Sequence, residues 1–518
     1  MIFKYLFLLL ILVISCSENS NPDGNNQNNS NNTNNSNNSN NSNNINNHTN
    51  NNTQGFQLLS LPGVRYGINM GHRNQGWNDS ETADIAQAAG ANSIRVSLPM
   101  SHLETWGYEI EVGDVQHYHE IGMGRHLVAF LTKPIAECST APSGTADWEL
   151  VYYMPSGLYE PIWDSEGVVN PDNCWAKYVF DTVSVYHNYI KIWEIWNEPD
   201  WISDWHTSLD WWDSPPSKDD LPRFNGSIFN YIRMLRVSYE VIKHVDPNGL
   251  VATGGIGYES FADAIMRYTD NPEDGSVTDD YPLRGSNWFD VHSLHYYPIF
   301  GGGNSDSGII GFENQLTGHM DVLTENNAGE KYIIFTESGA PHLVVGDNPG
   351  GEDYAANYLL KLMLVSHSHG VSGIDWFLLT DTAAAGDSTT PFSYMGLYLD
   401  TVDLSETSEA QITQAGRAYS ALKTLTNDAV SVSPLDDNLF FGDNFRGVMI
   451  EYPDGEGFAL WAVTESDENA VSTITFSTES SLEVYTITDP ENPSEIIEPG
   501  ENIEIILTST PVFLKPAQ

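Results

Sequence analysis

The sequence predicts an α/β fold, a (β/α)8 barrel followed by a small C-terminal antiparallel β-sandwich, and three observations carry that prediction. From residue 55 to about 425, short apolar runs alternate with amphipathic stretches about eight times over. Beyond residue 426 helical periodicity stops, and short alternating runs take over, separated by turn residues such as Asp454-Gly455. The chain has 518 residues, 40% hydrophobic and 11% aromatic, which suits one large core with a smaller module beside it.

In chain order, residues 1–16 read as a signal peptide and are excluded from the fold. Lys4 is the positive end, Tyr5 to Ile14 form an apolar run short for a bilayer span, and Val13-Ile14-Ser15-Cys16 resembles a bacterial lipoprotein signal. That resemblance implies lipidation at Cys16 and a secreted protein held at the outer membrane or cell surface by its lipid anchor alone. An ordinary secretory signal with an incidental cysteine is the alternative. Residues 17–54 are almost entirely Asn, Ser and Thr, with no apolar area to bury, and read as a disordered tether.

The eight barrel strands are expected at Arg65–Met70, Ser93–Pro99, His126–Leu131, Lys191–Trp196, Leu250–Thr253, Phe289–His295, Lys331–Thr336 and Gly373–Thr380. Helices are expected at Ser80–Gly90, Ile228–Val245, Asp353–His369 and Glu409–Leu425. A doubly wound open sheet competes, but no GxGxxG follows the first strand, and Gly254-Gly255-Ile256-Gly257 lacks that context. Residues 55–425 are thus assigned to the barrel and 426–518 to the sandwich. Seven sandwich strands are expected, at Asn438–Phe441, Arg446–Glu451, Gly457–Val463, Ser472–Ser477, Leu482–Thr486, Ile503–Ile506 and Pro511–Lys515.

Composition narrows the function. With 21 Lys+Arg against 70 Asp+Glu, the formal charge is −49, the opposite of what a nucleic-acid binder needs. Three cysteines without a CxxC pair give no support for a structural zinc or iron–sulfur site. Cys138 and Cys174 fit either one disulfide or two buried thiols.

Two strand ends carry chemistry. In Trp193-Glu194-Ile195-Trp196-Asn197-Glu198-Pro199-Asp200, an apolar strand runs into a polar pair and is stopped by Pro199. Glu198 falls at the C-terminal end of strand four, the barrel mouth. Glu194 lies deeper on the same parity and suits a buried structural role. In Tyr332-Ile333-Ile334-Phe335-Thr336-Glu337-Ser338-Gly339, strand seven delivers Glu337 to the same mouth. Strands four and seven face each other across an eight-membered ring. Hydrolysis of a glycosidic bond with retention needs two carboxyl groups about 5–5.5 Å apart.

The Trp-Asn-Glu-Pro run of residues 196–199 and the Thr-Glu-Ser-Gly run of 336–339 together resemble the clan A retaining glycoside hydrolases, across residues 55 to about 425. The resemblance implies Glu198 as acid/base, Glu337 as nucleophile, and Asn197 as ligand of the hydroxyl beside the anomeric carbon. It further implies Arg95 beside the nucleophile, His295 and Tyr297 closing strand six, and Trp376 as a floor under a sugar ring. No metal or organic cofactor is required, and the partner is a polysaccharide acted on by a monomer. Glu198 is expected to have a raised pKa through repulsion from Glu337.

Within the clan, Gly67-Ile68-Asn69-Met70-Gly71-His72-Arg73 with Trp77 is most similar to the beta-agarase and beta-porphyranase group, glycoside hydrolase family 86. That similarity implies endo-cleavage of an algal galactan, with His72, Arg73 and Trp77 at the substrate. His72, His102, His117, His119, His126, Arg65, Arg73, Arg95, Arg125 and Lys133 cluster between residues 55 and 134, as a basic lining for a sulfated sugar or as scattered residues. If scattered, neutral agarose, xylan, glucan or mannan fit as well as carrageenan or porphyran. The insertion from Glu137 to Asn173, with Trp148, Tyr152, Tyr153, Tyr159 and Trp163, and the loop carrying Trp201, Trp205, Trp211 and Trp212 are expected as cleft walls or as mini-cores. A surface glycan-binding lipoprotein is the non-enzyme alternative, though it has no need of both acids. A GxSxG nucleophile motif is absent.

Overall fold

The structure is a computed structural model, and it describes residues 65–517 apart from 72, 73, 75, 125 and 437. Cys16, the tether, and His72 and Arg73 therefore lie outside the described residues.

Eight parallel strands close a barrel in chain order: β1 (Gly67–Asn69), β2 (Ser93–Ser97), β3 (Val128–Leu131), β4 (Ile192–Ile195), β5 (Leu250–Ala252), β6 (Val291–Tyr296), β7 (Tyr332–Ser338) and β8 (Ile374–Trp376). Each expected strand is present. The boundaries differ where the mouth is built. β4 stops at Ile195 because Trp196 adopts φ +75°, a left-handed turn out of the ladder. β7 runs past its expected end to Ser338, so Glu337 is held within the ladder.

Alternation of side chains across a strand layers the bore. Val128, Ile192, Ala252, Val291 and Ile334 fill its lower layer with apolar groups. Two residues further along three of those strands stand Glu194, Ser293 and Thr336, all buried. A polar layer therefore sits directly above an apolar plug. Outside, the helix Ile228–Val245 forms with the bounds its periodicity predicts. The helix Gln414–Thr426 starts later than expected, because Thr407–Glu409 makes a separate 3-10 turn and the Thr413 side chain caps the helix by accepting from Gly416 N–H. Among the described residues no helix is long and apolar enough to cross a membrane.

After residue 430 the chain forms a three-stranded and a six-stranded antiparallel sheet. All seven expected strands are present, with two additions. Ser431–Pro434 and Glu495–Ile497 are edge strands of four and three residues, too short to give an alternation signal. The sandwich docks on the barrel through buried Asp306, whose carboxylate accepts from Lys361 Nζ (2.7 Å), Trp461 Nε1 (2.9 Å), Thr464 N–H (2.8 Å) and Thr464 Oγ1 (2.8 Å).

Candidate active site

The C-terminal ends of the strands surround a cavity of about 680 Å³ lined by Arg95, Asn197, Glu198, Arg223 and Glu337 among others. Its polar floor is organised by Arg95, buried on β2. Nε donates to Glu194 Oε2 (2.7 Å), Nη1 to Glu337 Oε1 (2.6 Å) and Nη2 to Asn197 Oδ1 (2.7 Å). Burial alone would lower the pKa of this guanidinium, but Glu194 and Glu337 outweigh it and raise the pKa further. Glu194 is fully buried, and its Oε1 accepts from Ser293 Oγ (2.7 Å) and Thr336 Oγ1 (2.6 Å). It holds Arg95 and does not line the cavity.

Glu337 is 7% exposed and accepts at Oε2 from the Tyr297 hydroxyl (2.7 Å). Burial and the adjacent Glu337 carboxylate raise the Tyr297 pKa far above its ordinary value, so the phenol stays a donor. The β6–β7 register shifts between Leu294 and His295, and this bulge sets His295 opposite Glu337. His295 Nδ1 lies 3.0 Å from Glu198 Oε1 and 3.6 Å from Glu337 Oε2, while Nε2 lies 3.0 Å from Thr336 Oγ1. Burial disfavours its charged form, but Glu337 and Glu198 prevail and raise its pKa.

Glu198 stands on the loop after β4 with φ +47°, its N–H donating to Gly254 O (2.6 Å). A side chain at Gly254 would put Cβ 2.5 Å from Ile195 O, so glycine is what lets the two loops meet there. Asp200 ties the same loop down by accepting from Gly257 N–H (2.9 Å) and Tyr258 N–H (2.8 Å); burial pushes its carboxyl up to about 7. One ligand atom each of Glu198, His295 and Glu337 lies within 4.8 Å of the other two. These atoms are close enough to share a cation, but Arg95 and Arg223 already supply the positive charge there. A second acidic group, Asp79, Glu111 and Asp114, is equally close-set.

Arg223 is the residue that sequence reasoning missed. Its Nη1 pairs with Glu198 Oε2, and its Cζ lies 4.3 Å from the centre of the Trp201 ring. The Trp196 indole donates to Arg223 O (2.8 Å), which fixes that stretch of chain under the mouth. Its place three residues after Asp219-Asp220, in a chain with few cations, was the only local signal, and a weak one. The pairing corrects the expected raised pKa of Glu198. Burial raises it, but Arg223 and His295 outweigh burial and hold the carboxyl at about 2 in this state.

Two other expectations are corrected. Trp376 is fully buried, donates from Nε1 to Met395 O (2.9 Å), and packs against Tyr358 of the helix Glu352–Ser368. It faces the helix layer; its neighbour Phe377, on the opposite parity, lines the cavity with Phe392. Trp77 is buried in the main core and does not line the cavity. Of the basic cluster, Arg95, His102 and Lys133 line the cavity, but acids partner them, and Arg65 and His117 do not line it. Lys133 pairs with Asp147 (2.7 Å), His102 with Glu111 (2.7 Å) and His117 with Asp84 (2.7 Å), whereas Arg65 donates to Ser372 O.

The insertion divides between the two readings. Trp148 and Tyr152 line the cavity, whereas Tyr159 donates to Asp270 O (3.0 Å) and Trp163 packs on His244 (4.5 Å). In the loop after β4, Trp211 is core, while Trp205 and Trp212 are exposed. Cys138 and Cys174 form a disulfide with Cα atoms 5.8 Å apart, tying the base of the insertion.

No family model matches this sequence, and no curated protein matches it. Solved structures do. A family 39 glycoside hydrolase from the gut symbiont Bacteroides cellulosilyticus WH2 is similar with a TM-score of 0.58 and 14% identity, over 88% of this chain and 81% of that one. An alpha-L-arabinofuranosidase from Thermotoga maritima is similar with a TM-score of 0.52 and 11% identity, over 87% and 95%. The catalytic domain of the family 30 xylanase C from Talaromyces cellulolyticus follows with a TM-score of 0.50 and 12% identity, over 88% and 98%. At such identities the likeness establishes the fold, and the chemistry has to be argued from the site.

Proposed function

We propose that this protein is a retaining glycoside hydrolase that cleaves beta-glycosidic bonds of a polysaccharide by double displacement. The observation that carries the reading is the approach of Glu198 and Glu337 within 4.8 Å at the mouth of a barrel. That spacing matches a nucleophile and acid/base pair and is too tight to seat a water between them as an inverting enzyme does. The glycosidases among the similar structures fit the same reading.

Glu337 is the nucleophile. Arg95 stabilises its negative charge and Tyr297 donates to its second oxygen, so it attacks the anomeric carbon in a fixed orientation. Glu198 gives its proton to the leaving oxygen, then takes one from the water that hydrolyses the glycosyl-enzyme. Asn197, oriented by Arg95, offers its amide to the neighbouring sugar hydroxyl. Protonation of Glu198 requires its contact with Arg223 to loosen when substrate enters.

For substrate, an endo-cleaved algal galactan of agarose or porphyran type remains our reading. It rests on the resemblance of the Gly67–Arg73 run and is supported by an aromatic-walled cavity with room for several sugars. Anchorage at the cell surface through Cys16 and action as a monomer belong to the same proposal. Reducing-end release is compared on agarose, porphyran, carrageenan, xylan, glucan and mannan. One class should be cleaved, and Glu337→Ala should abolish cleavage. Tight binding without turnover on every polymer would favour a glycan-binding surface protein.

A further inference from the structure

Arg223 holds a position that the two-carboxylate mechanism leaves unexplained. It is 9% exposed, stacked on Trp201, and lines the cavity. Among the described residues its side chain has one hydrogen-bond acceptor, Glu198 Oε2, which leaves Nε and Nη2 without a protein acceptor. The other cations at the cavity are committed. Arg95 is shared between two carboxylates and two amides, and Lys133 pairs with Asp147.

The first chemical step conflicts with this arrangement. Once Glu198 carries the proton it must deliver, Arg223 faces a neutral acid and becomes a largely desolvated cation without a counter-ion. A buried charge left alone is strongly unfavourable. The Trp196 indole fixes the backbone of Arg223 at the mouth, and stacking on Trp201 disfavours turning the guanidinium out to water. An anion arriving with the substrate removes the conflict, because it takes over Arg223 and frees Glu198 to hold a proton. The planar fork of an arginine suits a carboxylate or a sulfate ester, either of which engages two N–H groups at once.

We propose that Arg223 recognises an anionic substituent, carboxylate or sulfate ester, on the sugar bound against Glu198, so that the preferred substrate is an acidic polysaccharide. This rests on the reading of Glu198 as the acid/base, and deepens it by naming the substrate's charge.

The test measures binding to the full chain carrying Glu337→Gln, by calorimetry, with two probe pairs. One pair is a porphyran hexasaccharide and its desulfated form. The other is a glucuronate-bearing xylan hexasaccharide and its carboxyl-reduced form. At least one anionic member should bind about 10-fold or more tightly than its neutral partner. Adding Arg223→Met should bring that ratio close to unity, and Arg223→Lys should retain part of it; the pair that responds tells sulfate from carboxylate. Equal binding within both pairs, or a preference that survives Arg223→Met, overturns the proposal. Should Arg223→Met fail to fold, the ratios in the parent protein and in Arg223→Lys decide it. Persistent hydrolysis by the Glu337→Gln protein would instead overturn the nucleophile assignment and leave the anion preference standing on its own measurement.

Discussion

Two buried charge clusters in this molecule differ in one instructive respect. Where the sandwich docks on the barrel, Asp306 and Lys361 are sealed from solvent, with side-chain exposures of 1% and 0%. One acid faces one base, and both carboxylate oxygens accept hydrogen bonds from groups whose positions are set by packing. At the barrel mouth, Glu194, Glu198 and Glu337 face Arg95 and Arg223, and two of the acids approach each other beside a cavity. The first cluster joins surfaces. The second holds like charges together next to open space, an arrangement that structure alone has no need of. Buried charge is therefore a poor marker of a site, and a like-charged pair facing a cavity is a good one.

Substitutions should separate the clusters by what they damage. Glu337→Ala should reduce turnover on the cleaved polymer by on the order of 10⁴-fold or more, with the circular dichroism spectrum unchanged. Glu198→Gln should lose about 10²–10⁴-fold on the polymer yet little in the first step on an aryl glycoside whose leaving group needs no proton, as stopped-flow release of the phenol would report. Asp306→Ala should do the reverse. Stranding Lys361 without its partner should destabilise the fold by about 3–5 kcal/mol in urea titrations, while turnover per folded molecule is retained.

The smallest effect concerns acid. His292 Nε2 lies 3.0 Å from His319 Nδ1 in the barrel wall, and burial lowers the pKa of both, that of His319 to about 4. The unfolded chain takes up protons near the ordinary value of 6.5 and the folded chain only near 4, so stability conferred by these neutral rings is lost as pH falls through that window. His319→Gln should flatten the dependence of melting temperature on pH between these values; an unchanged slope would show that the pair does not control it.

Much of this was legible in the sequence, for a physical reason. Strand runs, the stop at Pro199 and the two strand-end acids are local patterns, and a closed barrel converts strand number into position around the ring. Glu194 was read as structural because parity and depth place it below the mouth, where Arg95, Ser293 and Thr336 meet it. What failed was non-local. Trp376 was chosen for its ring, but strand parity turns it toward Tyr358 and gives the cavity Phe377. Arg223 lies 25 residues after Glu198, in a loop without periodicity, and only the fold brings the two together. The electrostatic state of Glu198 depended on that contact and could not be read without it.

The most direct measurement follows the anomeric proton by NMR in the first minutes of cleavage of the preferred polymer, before mutarotation. Glu198 and Glu337 at their observed spacing predict retention, so cleavage of a beta-glycosidic bond should give a beta-configured reducing end as the first product. A first product of alpha configuration would contradict the account, since it requires a water between two carboxylates that stand too close together to admit one.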